Sequence, residues 1–459
     1  MTVITPTVAS EVTRILDRVE TEIEKNRVPA EIWNNDAIFR AELDQVFGTC
    51  WVFVAHESEI PKPGDFVQRR IGLDPVIVTR DGKGGINVLS NYCRHRGTQV
   101  CQTDTGNSRF FKCPYHGWTY SNNGDLVGTP HMREAYGTRL DPKEWGLKRA
   151  PRVDVRSGFI FASLAQEGPS LDEYLGGGGW MLDILANLAP GGMKVAGPPE
   201  RYQVNGDWKA GAENFSGDAY HADTLHWSNE EIQMIQGLGA NAEMMHAYEL
   251  GDGHATLGFP WAKIGLPLWG YSPETVAQFD LSVLDDAQRY VLETNPPTIG
   301  TIFPNFSYLR VASPTLPGGP PTVVTTFRVW QPIAPGKMEL WNWQFVFECQ
   351  SDQEKLDSYV TGQLIFGSAG NFETDDTVAW EGAPRAAKSA WMQRENLSFN
   401  FDQAGRTTVD VTPDPDYHGP GIKRATGFGE FVQLNFYRHW LAVMRGDASA
   451  TTSEGRHSR

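Results

Sequence analysis

Two short pairs of metal-seeking residues constrain this chain more than anything else in it. They are Cys93-Arg94-His95 and, after seventeen intervening residues, Cys113-Pro114-Tyr115-His116. Each pair fits on one tight loop, and a hairpin-like connection brings two such loops together at one end of a small sheet. Gly97 and Gly117 lie just past the two pairs, where a loop that wraps a metal group needs unusual backbone angles. Two Cys and two His in this order are the ligand set of a [2Fe-2S] centre in which two imidazoles replace two thiolates on one iron. Structural zinc takes the same four donors, but its fingers usually carry Cys-x(2–4)-Cys and His-x(3–5)-His instead of mixed pairs.

Charge and cysteine usage narrow the setting. The net charge of -16 argues against nucleic acid as a partner, because phosphate binding requires the opposite sign. Arg94, Arg96, Arg109 and Lys112 nevertheless fall in or beside the paired loops. They are either a basic rim that docks an acidic electron carrier or ordinary solvated charges. Five scattered cysteines, two of them committed to a metal group, argue against a disulfide framework and for a reducing cytoplasm. No apolar run reaches ~18 residues, so no membrane span is expected. Met1 to Glu11 lacks the pattern of a secretory signal.

A second loaded stretch runs Glu213-Asn214-Phe215-Ser216-Gly217-Asp218-Ala219-Tyr220-His221, followed by His226. Two His and one carboxylate on one face of Fe(II) leave positions open for dioxygen and substrate, as in non-haem iron oxygenases. A gap of five residues sets the two imidazoles ~140° apart on a regular helix, so they share a metal only where the helix bends or ends between them. Alone, the pair is a weak signal and reads first as structural histidines. Asp218 stands three residues before His221, placed as a cap or as the partner that fixes one imidazole's tautomer. Spacing does not select a third ligand among 56 acidic residues.

Periodicity supplies the frame. Helices are predicted over 10–25, 36–47, 180–188, 273–294, 353–366 and 429–444. From Trp51 the pattern becomes short β-rich runs: 51–54, 65–71, 75–79, 86–90, 110–112, 118–120 and 159–162, with turns at Asp81-Gly82 and Asn123-Gly124. Residues 46–164 therefore read as a small all-β domain holding the metal group. Gly176 to Gly179 and the Pro/Gly-rich stretch 190–199 read as a linker. Further strands at 301–303, 307–311, 322–331 and 340–349, mixed with helices, give an α+β second unit with an antiparallel sheet, formed by 1–45 and 165–459. The polar tail 447–459 is expected to fray. No Gly-x-Gly-x-x-Gly opens a βαβ unit, so NAD(P)H and flavin are expected on other proteins.

The paired loops resemble the Rieske proteins. Cys101 lies between the pairs, but Cys113 has no second Cys beside it, which points to the oxygenase branch. The run 213–226 resembles the mononuclear iron motif of Rieske ring-hydroxylating oxygenase large (alpha) subunits, where Glu-Asn-x-x-x-Asp-x-Tyr-His and a second His recur. The resemblance spans Trp51 to at least Asp376. It implies a Rieske [2Fe-2S] domain with Cys93, His95, Cys113 and His116 on the cluster, and a helix-grip (START-like) catalytic domain with Fe(II) on His221 and His226. The third ligand carries over to Asp376 in 366–376, with Asp375 as runner-up and Phe372 where many relatives have Trp. Asn214 and Asp218 become catalytic-site residues, Asp218 bridging an iron ligand to His116 of the partner subunit. Phe215, Ala222, Phe303, Phe366 and Phe372 become candidate pocket walls.

By that resemblance the chain is the terminal oxygenase of an aromatic ring-hydroxylating dioxygenase. It cis-dihydroxylates a substrate, a polycyclic aromatic hydrocarbon first, with O2 and electrons from NAD(P)H through a ferredoxin and a reductase. A small β subunit in an α3β3 hexamer is the implied partner. An aromatic carboxylate such as phthalate or benzoate is the alternative substrate, for which a buried cation, with Arg310 the nearest candidate, would be needed. An O-demethylase or monooxygenase on the same scaffold would differ in product and not in ligands. A Rieske-type electron-transfer protein would use 46–164 alone, leaving the remaining residues unexplained.

Overall fold

The structure is a computed structural model that describes residues 6–235, 244–401, 413–424 and 428–447, so all but the first residue of the polar tail lies outside the described residues. The chain divides into two compact units, Phe47–Leu171 and Met1–Val46 with Asp172–Arg459. Among the described residues no helix is long and apolar enough to cross a membrane.

The smaller unit is built from short antiparallel strands. Four of them run Ile86–Ser90, Asp74–Arg80, Asp65–Ile71 and Thr105–Asn107 in spatial order. Three more, Phe110–Lys112, Thr119–Ser121 and Leu126–Gly128, form a meander, and Arg152–Arg156, Phe159–Ser163 and Val52–His56 form a third sheet. The expected turns are present. Asp81 closes its hairpin through its backbone N–H to the Gly85 carbonyl at 2.8 Å, while its carboxylate accepts the N–H groups of Lys83 and Gly85. At the other turn the Ser121 N–H donates to Asp125 at 2.9 Å. The inward residues Phe66, Ile77, Leu89, Phe111 and Tyr120 make a core that reaches Cys93 and Cys113, so the metal loops rest on packed apolar side chains.

The larger unit is organised by a nine-stranded antiparallel sheet. Its path runs Met193–Val195, Lys337–Phe347, Pro321–Ala334, Phe306–Pro314, Pro297–Ile302, Ala255–Gly258, His246–Glu249 and Ile422–Arg424, and Glu200–Val204 also pairs with Lys337–Phe347. The helix Trp208–Gly217, which leads into the His221 segment, lies against this sheet and is pinned by Thr301, whose hydroxyl donates to the Ala212 carbonyl at 2.7 Å. The expected α+β class with an antiparallel sheet is what the chain adopts.

Three expectations fail for physical reasons. The stretch 190–199 is no linker, because Met193–Val195 pairs with Phe345–Phe347 at the edge of the large sheet and buries Met193. Gly176 to Gly179 are no linker: they lie inside the helix Leu171–Ala186, which kinks at Gly176 with φ 41°. A Cβ on Gly177 would come within 2.9 Å of the Leu250 carbonyl oxygen and one on Gly178 within 2.6 Å of Ile302 Cδ1, so these two glycines allow close approach while Gly176 supplies the left-handed kink. The long helix expected over 273–294 is broken into Pro273–Val276, a 3-10 turn Leu281–Val283 and Asp286–Thr294. Ser272, Asp280 and Asp285 each accept a backbone N–H at a fresh N-terminus, and three caps outweigh the continuous apolar spacing.

Candidate metal centres

The two paired loops are one piece of architecture made twice. In the first, the Cys93 N–H donates to the Thr98 carbonyl at 2.9 Å and the Gly97 N–H to the Cys93 carbonyl at 2.8 Å. In the second, Cys113 and Gly117 do the same with the Trp118 and Cys113 carbonyls at 2.8 and 3.0 Å. Gly97 and Gly117 have φ of 77° and 72°, the left-handed region that lets each loop fold back. The His95 and His116 rings approach to 4.4 Å between centroids, and both Nδ1 atoms are buried with no hydrogen-bond partner among the described residues. His95 also stacks on Trp118 at 5.1 Å. Burial pushes the Cys113 thiol up, and the neighbouring Cys93 adds to this. Two buried sulfurs and two imidazole Nδ1 atoms gathered on half-buried rings suit a cationic metal group, which deprotonates thiols on binding.

The rim differs from its expectation in one residue. Arg94 is folded inward, donating to the Gly146 carbonyl at 3.1 Å and lying over Trp145, whereas Arg96, Arg109 and Lys112 are exposed.

In the larger unit the chain bends where the spacing of the second His pair demands it. The helix Trp208–Gly217 stops at Asp218, and His221 and His226 flank the short helix Ala222–Leu225. Their Nε2 atoms lie 3.2 Å apart, and Asp376 Oδ1 is 3.5 Å from the first and 3.3 Å from the second. That carboxylate oxygen is buried and has no hydrogen-bond partner among the described residues. The three donors form a group able to hold one metal ion.

Behind each imidazole stands a carboxylate. Asp218 Oδ2 is 3.1 Å from His221 Nδ1 and also accepts from Asn214 Nδ2 at 3.1 Å. Asp375 Oδ2 is 3.4 Å from His226 Nδ1 and accepts from Asn229 at 3.3 Å. Both rings are thereby turned with Nε2 inward. Burial opposes a charge on His221, but Asp218, with help from Asp376, raises it to about 9. The adjacent acids Asp375 and Asp376 thus take different places, the first behind an imidazole and the second between the two inward nitrogens.

These donors form part of the wall of a cavity of about 380 Å³, lined largely by apolar side chains. Phe215, Ala222, Phe366 and Phe372 line it. Phe303 does not. One residue beyond the strand Pro297–Ile302, its ring is buried against Phe436 and His439 of the helix Phe431–Met444, and its backbone binds His254 and Tyr174. Sequence reasoning missed Met234, Met245, Leu257, Trp261, Leu309 and Val311. The last two carried a usable signal, since they alternate along the strand Phe306–Pro314 and Arg310 between them points the other way. Arg310 is fully buried against Trp269, donating to Thr325 and the Leu185 carbonyl, each at 2.9 Å. Among the described residues the cavity wall contains no Arg or Lys.

Residues 50–149 match the Rieske [2Fe-2S] domain, and residues 172–446 match the catalytic domain of the ring hydroxylating alpha subunit. The chain belongs to the ring-hydroxylating oxygenase alpha subunits.

Full-length relatives agree. The chain is 48% identical over 439 residues to the alpha subunit of N,N-dimethyl phenylurea N-demethylase from Sphingobium sp. (strain YBL2), covering 94% of this chain and 95% of that protein. It is 33% identical over 426 residues to the large oxygenase component of the naphthalene 1,2-dioxygenase system of Pseudomonas aeruginosa, covering 90% of each. The structure superimposes on the crystal structure of naphthalene 1,2-dioxygenase from Rhodococcus sp. bound to indole with a TM-score of 0.87, at 35% identity, covering 97% of this chain and 99% of that one. As a ring-hydroxylating oxygenase alpha subunit, the chain is an oxidoreductase with a Rieske [2Fe-2S] cluster and non-haem iron. Such alpha subunits work in multicomponent systems with partner subunits and electron-transfer proteins.

Proposed function

We propose that this alpha subunit is the terminal oxygenase for a neutral, largely apolar aromatic molecule. In this reading Cys93, His95, Cys113 and His116 hold the cluster, and His221, His226 and Asp376 hold the iron. One observation carries the substrate class: a largely apolar cavity, with no Arg or Lys among the described residues of its wall, opens directly onto the Asp376 oxygen, which has no hydrogen-bond partner among them, and the two inward imidazoles. An aromatic carboxylate would enter that cavity with its charge uncompensated, and Arg310, its candidate partner, faces elsewhere.

When bound, the ferrous ion activates dioxygen and the cluster supplies electrons to it. The chain's own residues do the rest. Asp218 and Asp375 hold the imidazoles with Nε2 inward. Asn214 fixes the Asp218 carboxylate through its amide. Phe372, 4.9 Å from the His226 ring, and Phe366 beside it exclude water and present flat faces to an arene. We assign Asp218 the further role of linking His221 to His116 of the partner subunit in a ring of subunits. Electrons are assigned to NAD(P)H through a reductase and a ferredoxin, a small β subunit completes an α3β3 hexamer, and the enzyme is placed in the cytoplasm.

Two reactions fit a neutral aromatic occupant. In cis-dihydroxylation both atoms of O2 are added to adjacent ring carbons of a hydrocarbon such as naphthalene, with two electrons and two protons. In oxidative N-demethylation, also with two electrons and two protons, one oxygen atom enters a C–H bond of the N-methyl group, the N–C bond then breaks to release formaldehyde and leave N–H, and the other oxygen atom leaves as water. The identity of 48% to the phenylurea N-demethylase subunit, against 33% to the naphthalene dioxygenase component, favours the second for this chain. Feeding naphthalene, phenanthrene, N,N-dimethyl-N'-phenylurea, benzoate and phthalate with a surrogate ferredoxin and reductase decides. Formaldehyde with the monomethyl urea supports demethylation, a cis-diol supports dihydroxylation, and turnover of only the two acids would overturn the neutral-substrate reading.

A further inference from the structure

Behind the cavity lies an ion pair that the ligand set does not use. Arg328, on the strand Pro321–Ala334, and Glu373, on the helix Asn371–Trp380, are both fully excluded from solvent, with Nη1 and Oε2 2.7 Å apart. The Tyr202 hydroxyl donates to the other Glu373 oxygen. Glu373 stands three residues before Asp376, on the same helical face and one turn away. The guanidinium lies over two cavity-wall rings, 4.7 Å from the Phe215 centroid and 5.0 Å from that of Phe366. Arg328 therefore touches three elements that carry the site: the Asn214/Asp218 helix through Phe215, the end of the helix Asp352–Phe366, and the Asp376 helix through Glu373.

The charges explain why such a pair belongs there. Two carboxylates one turn apart in a dry interior repel, and burial together with Asp376 pushes Glu373 toward its neutral form while Arg328 opposes this. Removing one member of a buried pair exposes the other, whereas removing both is nearly neutral. Among the described residues, the guanidinium nitrogens of Arg328 have no hydrogen-bond partner beyond this ionic contact, so its compensation rests on Glu373.

We propose that the Arg328–Glu373 pair is a positioning element for the iron site. Glu373 holds the buried cation away from Asp376, leaving that carboxylate free to face the two imidazoles. This rests on the assignment of His221, His226 and Asp376 as the iron ligands. Without Glu373, the uncompensated guanidinium competes with a ferrous ion for Asp376.

The test is an anaerobic Fe(II) titration of the full oxygenase, its cluster intact and its mononuclear iron stripped by chelator. The electron paramagnetic resonance signal of the nitric oxide adduct reports on the site. Glu373→Gln is expected to weaken Fe(II) binding about tenfold, the scale of lost metal-site support, and to broaden that signal. The double variant Glu373→Gln/Arg328→Met is expected to recover binding to within about threefold, because no uncompensated charge remains. A role in packing alone would make the double variant the worst of the set. Wild-type affinity in Glu373→Gln, or no recovery in the double variant, overturns the proposal. Asp376→Ala separates this from the underlying assignment: if it binds Fe(II) like the wild type, the ligand set itself is wrong.

Discussion

The two metal centres are built on opposite plans. The paired Cys/His loops draw all four donors from Cys93 to His116, each loop is closed by its own backbone hydrogen bonds, and the sheets beneath only support it. The His221/His226/Asp376 site draws its third donor from a distant helix, and its two outer carboxylates come from different segments. A site with local donors can be read from spacing. A site with distant donors depends on tertiary packing to bring its members together, so it is more sensitive to changes outside the ligand set.

This contrast can be broken or sharpened by experiment. The largest effect is expected from the ligands: Cys113→Ser should remove the cluster's visible spectrum and all turnover, while His221→Ala/His226→Ala should remove turnover and keep that spectrum. Loss of the spectrum in the second variant would mean that the two centres do not fold as separate plans. Next comes Asp218→Asn, expected to keep both metals and lower product formation by up to ~100-fold, the upper range for groups that orient a ligand. Near-normal turnover would remove Asp218 from the electron path. Asp375→Asn is expected to weaken iron affinity by ~10-fold with the cluster unchanged; an unchanged affinity would deny it a role behind His226.

The smallest effect concerns pH. His254 is locked neutral, accepting the Phe303 N–H at Nδ1 and donating to the Tyr174 carbonyl from Nε2, and burial lowers it to about 4. A depressed histidine contributes stability that is fully present above its unfolded pKa of ~6.5 and is lost as pH falls from there toward about 4. The iron-bearing unit holds two further histidines lowered by burial, the half-buried His246 to about 4 and the buried His439 to about 3, while the cluster-bearing unit holds His56, at about 4, and His95, also lowered. Calorimetry between pH 7 and 4 should therefore show the larger unit losing more. His254→Gln should flatten that loss; an unchanged slope would assign it to other groups.

The same contrast explains what the sequence made legible. The short β-rich runs Asp65–Ile71 and Ile86–Ser90 and the Asp81-Gly82 and Asn123-Gly124 turns mark the smaller unit because each signal is local. The inner strands of the larger sheet were legible too, but Phe303 was misplaced because one position beyond a strand its ring turned from the cavity into the core. Asp375 and Asp376 were adjacent carboxylates that no pattern separates; helix rotation separates them. Arg328 and Glu373 left no signal at all, since a buried pair 45 positions apart is created only by packing.

The most direct measurement is the iron and acid-labile sulfide content of the anaerobically purified chain and of its His226→Ala variant. Two centres of these types require three irons and two sulfides per wild-type chain, falling to two irons with sulfide unchanged in the variant. Zinc in place of iron at either centre, or sulfide lost together with iron in the variant, would contradict the account.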